Sequence, residues 1–115
     1  MKNNLISLQN RIKVKFKNLD LLKKSITHKS FDPFNNYEKL EFLGDRVLGL
    51  SISKKITDLY SDDKVGNLDK RLASLVNKNS CYIVGKKLNL ENYIIIGRSQ
   101  KKNKIENKII SDCCE

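Results

Sequence analysis

Residues 37–60, YEKLEFLGDRVLGLSISKKITDLY, keep a helical period with no proline or turn cluster to interrupt it. Whatever this chain folds into must accommodate one long helix there. At about 100° of rotation per residue, Leu40, Leu43, Val47 and Leu50 fall within about 80° of arc. Leu48, Ile52, Ile56 and Leu59 lie on the other side, so the second half of the run is apolar on both sides. A helix that is apolar around most of its circumference is expected in the middle of a bundle.

The flanking segments share the helical period. Leu5, Leu8, Ile12 and Val14 make an imperfect stripe over residues 4–16, and Leu21, Leu22 and Ile26 make another. Leu68, Leu72, Leu75 and Val76 form a strong amphipathic face. A shorter helix is expected over residues 81–88, and the period resumes through Ile105, Ile109 and Cys113. Pro33, Asn35 and Asn36 break the chain before the long helix. Residues 93–97, YIIIG, are the one strand-like run, and they read equally well as a buried extended connection. The expected fold class is all-α. No repeat or linker divides the chain, and 115 residues suffice for one core.

Charge narrows the partner. Lys and Arg number 23 against 13 Asp and Glu, a formal net charge of +10. Such a balance suggests a polyanion, with nucleic acid ahead of an acidic membrane surface. No apolar run approaches the roughly 20 residues that a membrane span needs. Charges scattered through residues 1–16 do not fit a signal peptide. Cys81, Cys113 and Cys114 are odd in number and form no CxxC pair, which fits a reducing cytoplasm. With the lone His28 they match no zinc-ligand spacing. Neither Cys113 nor Cys114 has an obvious neighbour to stabilise a thiolate.

Against this basic background, EKLEFLGD (residues 38–45) places Glu38, Glu41 and Asp45 within about 60° of arc. No Lys or Arg falls inside the arc, and like charges at such spacing repel. Asp112 and Glu115, in SDCCE, are three residues apart and share a helical face. Two helices that each present paired carboxylates can surround a hard divalent cation such as Mg²⁺. In a basic protein directed at a polyanion, that arrangement suits metal-dependent phosphodiester chemistry. The alternative is ordinary acidic helix turns facing solvent. Gly44 and Gly49 are poor helix formers, and glycine in a helix is most useful where another backbone or a partner approaches closely.

NYEKLEFLGDRVLGL closely resembles the signature of the ribonuclease III family, N-E-R-L-E-F-L-G-D-x-[IV]-L. SITHKS is similar to the family's upstream T-H-[RK]-S, and SDCCE to the opening of its second acidic motif, D-x-x-E. The three motifs occur in the family's order. The resemblance implies an all-α endonuclease-domain bundle that cuts double-stranded RNA, with Mg²⁺ as cofactor and Mn²⁺ as a substitute. It implies 5′-phosphate and 3′-hydroxyl products, roles in rRNA and mRNA processing, and a homodimer in the cytoplasm, with no membrane and no small-molecule cofactor.

By the same resemblance, Glu41, Asp45, Asp112 and Glu115 match the metal-binding carboxylates, with Asp45 and Glu115 also catalytic. Glu38 matches a supporting acid, and Phe42 an aromatic that enters a socket on the partner subunit; core packing is the other reading of Phe42. His28 suits a helix-end hydrogen bond better than catalysis. Arg98, Lys101, Lys102, Lys104 and Lys108 cluster as candidates for RNA phosphates. Val65 stands where many members have an acid. The family's domain continues past this second motif into further helices and, in bacterial enzymes, a double-stranded-RNA-binding domain. Residues 1–115 therefore read as a partial catalytic domain, incomplete at its C-terminus. A noncatalytic RNA-binding member of the same fold and an inactive fragment are the alternatives.

Overall fold

In the computed structural model, which describes residues 2–98 and 105–115, helix α1 spans Lys2–Ile12. It stops where Lys13 enters the left-handed region at φ 59°. The helix expected over residues 4–16 is therefore shorter, and Val14 lies exposed beyond it. Gln9 closes this turn: its side-chain oxygen accepts from the Phe16 N–H at 2.6 Å and its carbonyl from the Val14 N–H at 3.1 Å. Helix α2 (Leu19–Ser25) begins at Asn18, whose side chain accepts from the Leu21 N–H. Such a cap contributes about 1 kcal/mol.

The long helix α3 covers Glu38–Leu59, one residue inside the expected span at each end. Helix α4 (Val65–Leu75) follows, then α5 (Lys78–Lys87), capped by Asn77 through the Ser80 N–H at 2.8 Å. A 3₁₀ turn at Leu90–Asn92 leads to the extended residues, and α6 spans Asn107–Cys114. Among the described residues there is no strand. Ile95 makes one isolated parallel bridge to Thr27: its N–H donates to the Ile26 carbonyl, and its carbonyl accepts from the His28 N–H, both at 2.9 Å. YIIIG is thus a buried extended connection, the second of its two readings.

Leu5 and Leu8 of α1, Leu22 and Ile26, residues 94–96, and Ile109 and Ile110 of α6 make the core. Gly85 lets α5 approach α6 closely, since the Ile110 side chain sits where a Cβ would stand.

The long helix is not central, contrary to the expectation from its two apolar sides. Ile56 is its one buried hydrophobic residue, and Val47 and Leu50 are 61% and 74% exposed. Helices α3 and α4 pair with each other, in a molecule extended over 50 × 29 × 25 Å. Arg71 closes that pair, stacking 3.5 Å over the Tyr60 ring and bridging to Asp63 at 2.7 Å. Helix α4 covers only one side of α3, while the core closes elsewhere. Burying a side chain of this size stabilises by about 1.5–3 kcal/mol, a gain that Leu43, Val47 and Leu50 on the bare face do not realise within the chain.

Candidate metal centre

Two separate segments deliver the acids. Glu41 lies in the first turns of α3, where its N–H donates to the Tyr37 carbonyl at 2.8 Å. Asp112 and Glu115 come from the end of α6, on one face as their spacing requires. The approach of α6 to α3 depends on Gly44, because the main chain of Glu115 occupies the place of a Cβ there. That is the close backbone approach for which a helical glycine is suited. Gly49, by contrast, faces open space.

Glu41, Asp112 and Glu115 each offer an oxygen, all within 4.8 Å of one another. Lys78, the first residue of α5, places its ammonium among them. Its Nζ donates to Glu41 Oε1 and Asp112 Oδ1 at 2.9 Å and approaches Glu115 Oε1 at 3.0 Å. The main chain of Lys78 is fixed from α6, since its carbonyl accepts from Ser111 Oγ at 2.9 Å. Asp112 Oδ2 accepts from Lys108 Nζ at 2.7 Å and from the Tyr37 hydroxyl at 3.2 Å. The side chains of Asp112 and Glu115 are only 2% and 4% exposed.

These contacts separate the two carboxyls of α6. Burial acts to raise the pKa of Asp112, but hydrogen bonds from Lys108 and Lys78 outweigh it and hold the group below its ordinary value. Burial pushes Glu115 above the usual carboxylate range; Lys78 opposes the shift, while Glu41 and Asp45 add to it. Burial also works against the charge on Lys78, yet its hydrogen bonds to Asp112, Glu41 and Glu115 prevail and keep it protonated. The Tyr37 hydroxyl is pushed upward by burial and by Asp112, so it remains a donor.

The donor set fits a hard cation. Mg²⁺ takes oxygen ligands at about 2.0–2.1 Å and retains several waters. The three inner oxygens therefore have to close by about 0.8–1.0 Å from their distance to Nζ, or be bridged by water. Glu115 Oε2 is buried with no hydrogen-bond partner, an acceptor that a cation or its water would satisfy.

The remaining candidates are placed differently. Asp45 stands outside this group: its side chain is 48% exposed and paired with Arg46 at 3.3 Å. Arg46 also lies 3.8 Å over the Phe42 ring. Phe42 is 55% exposed, so it is no core residue. Glu38 is exposed and lines, with His28 and Lys29, a cavity of about 280 Å³ that reaches Glu41 and Asp112. His28 closes a turn: its Nδ1 accepts from the Ser30 N–H at 3.1 Å and lies 2.7 Å from Ser30 Oγ. That bond places the proton of the neutral ring on Nε2, and burial lowers the pKa of the ring. Arg98 is exposed, whereas Lys101, Lys102 and Lys104 lie outside the described residues. Lys108 has its ammonium on Asp112, so it belongs to the acid cluster. Val65 is exposed at the start of α4.

Lys78, Tyr37 and Ser111 escaped the sequence reading. One signal for Lys78 was present. Asn77 is a good N-cap, which puts a lysine at the positive end of the helix dipole, where cations are disfavoured.

Residues 18–115 match the family described as Ribonuclease-III-like. The chain is 54% identical over 116 residues to "Ribonuclease 3" of Pelagibacter ubique, covering 100% of this chain and 52% of the relative. It is 39% identical over 114 residues to "Ribonuclease 3" of Methylocella silvestris, covering 96% and 48%. The chain thus spans about half the length of the curated relatives it matches. Its fold is similar to that of the ribonuclease III nuclease domain from Campylobacter jejuni, solved with attention to flexibility in a region involved in dimer formation. The TM-score is 0.88 at 36% identity, over 93% of this chain and 76% of that one.

Proposed function

The chain belongs to the ribonuclease III family, and on that premise we propose that it forms the catalytic part of a Mg²⁺-dependent endonuclease for double-stranded RNA. Its products would carry 5′-phosphate and 3′-hydroxyl ends, in the processing of rRNA and mRNA precursors. The observation that carries this reading is the meeting of Glu41, Asp112 and Glu115 from separate segments around one cation-sized space. When bound there, a divalent ion would supply a positive charge for a phosphoryl oxygen and an activated water.

The chain's own residues prepare that site. Asp112 is oriented through its outer oxygen by Lys108 and Tyr37, which leaves its inner oxygen facing Glu41 and Glu115. Gly44 seats the end of α6 against α3. We assign Asp45, one turn beyond Glu41, to orienting the attacking water; this requires its carboxylate to leave Arg46. Arg98 and the lysines at 101, 102 and 104 would contact RNA phosphates. Duplex RNA is read chiefly by shape, so little sequence preference is expected from them. The bare α3 face, with Phe42 at its acidic end, would be the contact between two copies. A second reading, a noncatalytic RNA-binding member, is favoured by one observation: the Lys78 ammonium stands among the three acids, in the space an ion would take.

Cleavage of a labelled RNA duplex with and without Mg²⁺ distinguishes the two readings, using the protein carrying this domain and its Asp45→Asn variant. The enzyme reading expects Mg²⁺-dependent cutting by the parent. In the variant it expects a loss of about 10²-fold or more in rate, with filter binding of RNA nearly unchanged. RNA binding without cutting by the parent would leave only the noncatalytic reading. Normal cutting by Asp45→Asn would remove Asp45 from the mechanism.

A further inference from the structure

We propose that Lys78 is a built-in counter-cation, which holds the acid cluster together before an ion arrives and has to leave for the ion to enter. This rests on the metal-site reading of Glu41, Asp112 and Glu115. Its ammonium would then compete with the ion and set the affinity of the site.

Nζ lies 2.9, 2.9 and 3.0 Å from oxygens of all three acids, so it stands where an ion shared by them must stand. Three carboxylate oxygens within 4.8 Å of one another repel unless a positive charge lies between them. An ammonium and a divalent ion cannot occupy that space together, for reasons of both charge and volume. Occupancy is therefore exclusive.

The ammonium is also free to leave. The Lys78 side chain is about half exposed, on a flexible four-carbon stem, so the ammonium has a path to solvent. The Ser111 hydroxyl holds only the main chain of Lys78, and the backbone need not move. Lys108 differs in kind. It binds the outer oxygen of Asp112 alone, beside the Tyr37 hydroxyl, and can remain while the inner oxygen turns to an ion.

Lys78 opens α5, where the helix dipole disfavours a cation. The three acids offset that disadvantage. An entering ion takes the acids for itself and leaves the ammonium at an unfavourable terminus, so release into solvent follows.

A binding-competent state that is only fractionally populated weakens the apparent affinity by that fraction. If the ammonium holds the cluster about nine-tenths of the time, the ion binds roughly tenfold more weakly than to a cluster without it. Lys78→Met keeps the length of the stem and removes the charge. Titrating Mn²⁺ into the 115-residue chain, followed by calorimetry and by loss of the free-ion paramagnetic signal, should show the variant binding roughly tenfold tighter than the parent. Lys108→Met should gain less. In chelator, Lys78→Met should melt below the parent, and Mn²⁺ should raise its Tm more.

Equal or weaker Mn²⁺ binding by folded Lys78→Met would overturn the displacement while leaving the metal site intact. No Mn²⁺ binding by the folded parent or either folded variant would overturn the metal site and this inference together. Should Lys78→Met fail to fold, the parent alone decides through the ¹⁵N-detected ammonium signals of its lysines. Saturating Mg²⁺ should abolish the hydrogen-bonded Lys78 signal and spare that of Lys108. An unchanged Lys78 signal at saturation would refute displacement.

Discussion

Gly44 and Gly49 lie in the same helix, and alanine should act on them with opposite sign. Both substitutions gain the ordinary helix-propensity advantage over glycine, about 0.5–1 kcal/mol. At Gly49 a new Cβ meets nothing within 4 Å, so the gain should appear nearly whole. At Gly44 the Cβ would overlap the carbonyl and main-chain carbon of Glu115. These are backbone atoms with no rotamer to change, so relief requires shifting the end of α6 that carries Asp112 and Glu115. Overpacking of this kind costs about 1–3 kcal/mol. Propensity cancels between the two variants, and the difference in their stabilities isolates that strain. Urea unfolding at one low protein concentration measures it without a contribution from self-association. Gly49→Ala should raise the midpoint, and Gly44→Ala should leave it unchanged or lower it. Mn²⁺ affinity should fall only in Gly44→Ala, as the carboxylates of α6 move off Glu41. Equal stabilisation by both alanines would refute the seating of Glu115 against α3, and with it the assembly of the acid cluster.

Two further outcomes follow from the same geometry. The pKa of Asp112 is depressed in the folded chain, so its charge stabilises the fold above the unfolded value of about 3.9. That contribution is lost as pH falls through the lower folded pKa; in chelator, the stability gap between parent and Asp112→Asn should narrow from about pH 6 to about pH 3, and a constant gap would show no preferential ionisation of Asp112. Phe42→Ala should shift sedimentation of the protein carrying this domain toward monomer, since aromatic anchors at an interface often carry 2 kcal/mol or more; an unchanged association constant would place the contact between copies elsewhere.

What the sequence disclosed, and what it withheld, divides by the range of the interaction. The ends of α3 were visible because periodicity is local, whereas α5, capped by Asn77, begins at Lys78, ahead of the expected residue 81. The acids at 41, 112 and 115 were legible as motifs, because each pair sits within one or two helical turns. Lys78 was not, since it meets Glu41 across 37 positions and Asp112 across 34, distances that no periodic pattern encodes. Asp45 shows a different limit. A helical wheel fixes the direction of its Cβ toward Glu41, but Arg46, the next residue in the chain, decides where its carboxylate rests. The misplacement of α3 has a third cause. Apolar residues on both sides require cover on both sides, and the sequence does not state that one chain must supply it all. Helix α4 covers one side, and the face with Leu43, Val47 and Leu50 stays open. The site and the bare face therefore share one helix, with Glu41 turned toward the acids of α6 and Phe42 beside it turned outward. A shift of α3 caused by contact at Phe42 would be transmitted to Glu41 through a single residue of backbone. Were two copies to meet at that face, their assembly and that of the acid cluster would be mechanically coupled at the start of α3.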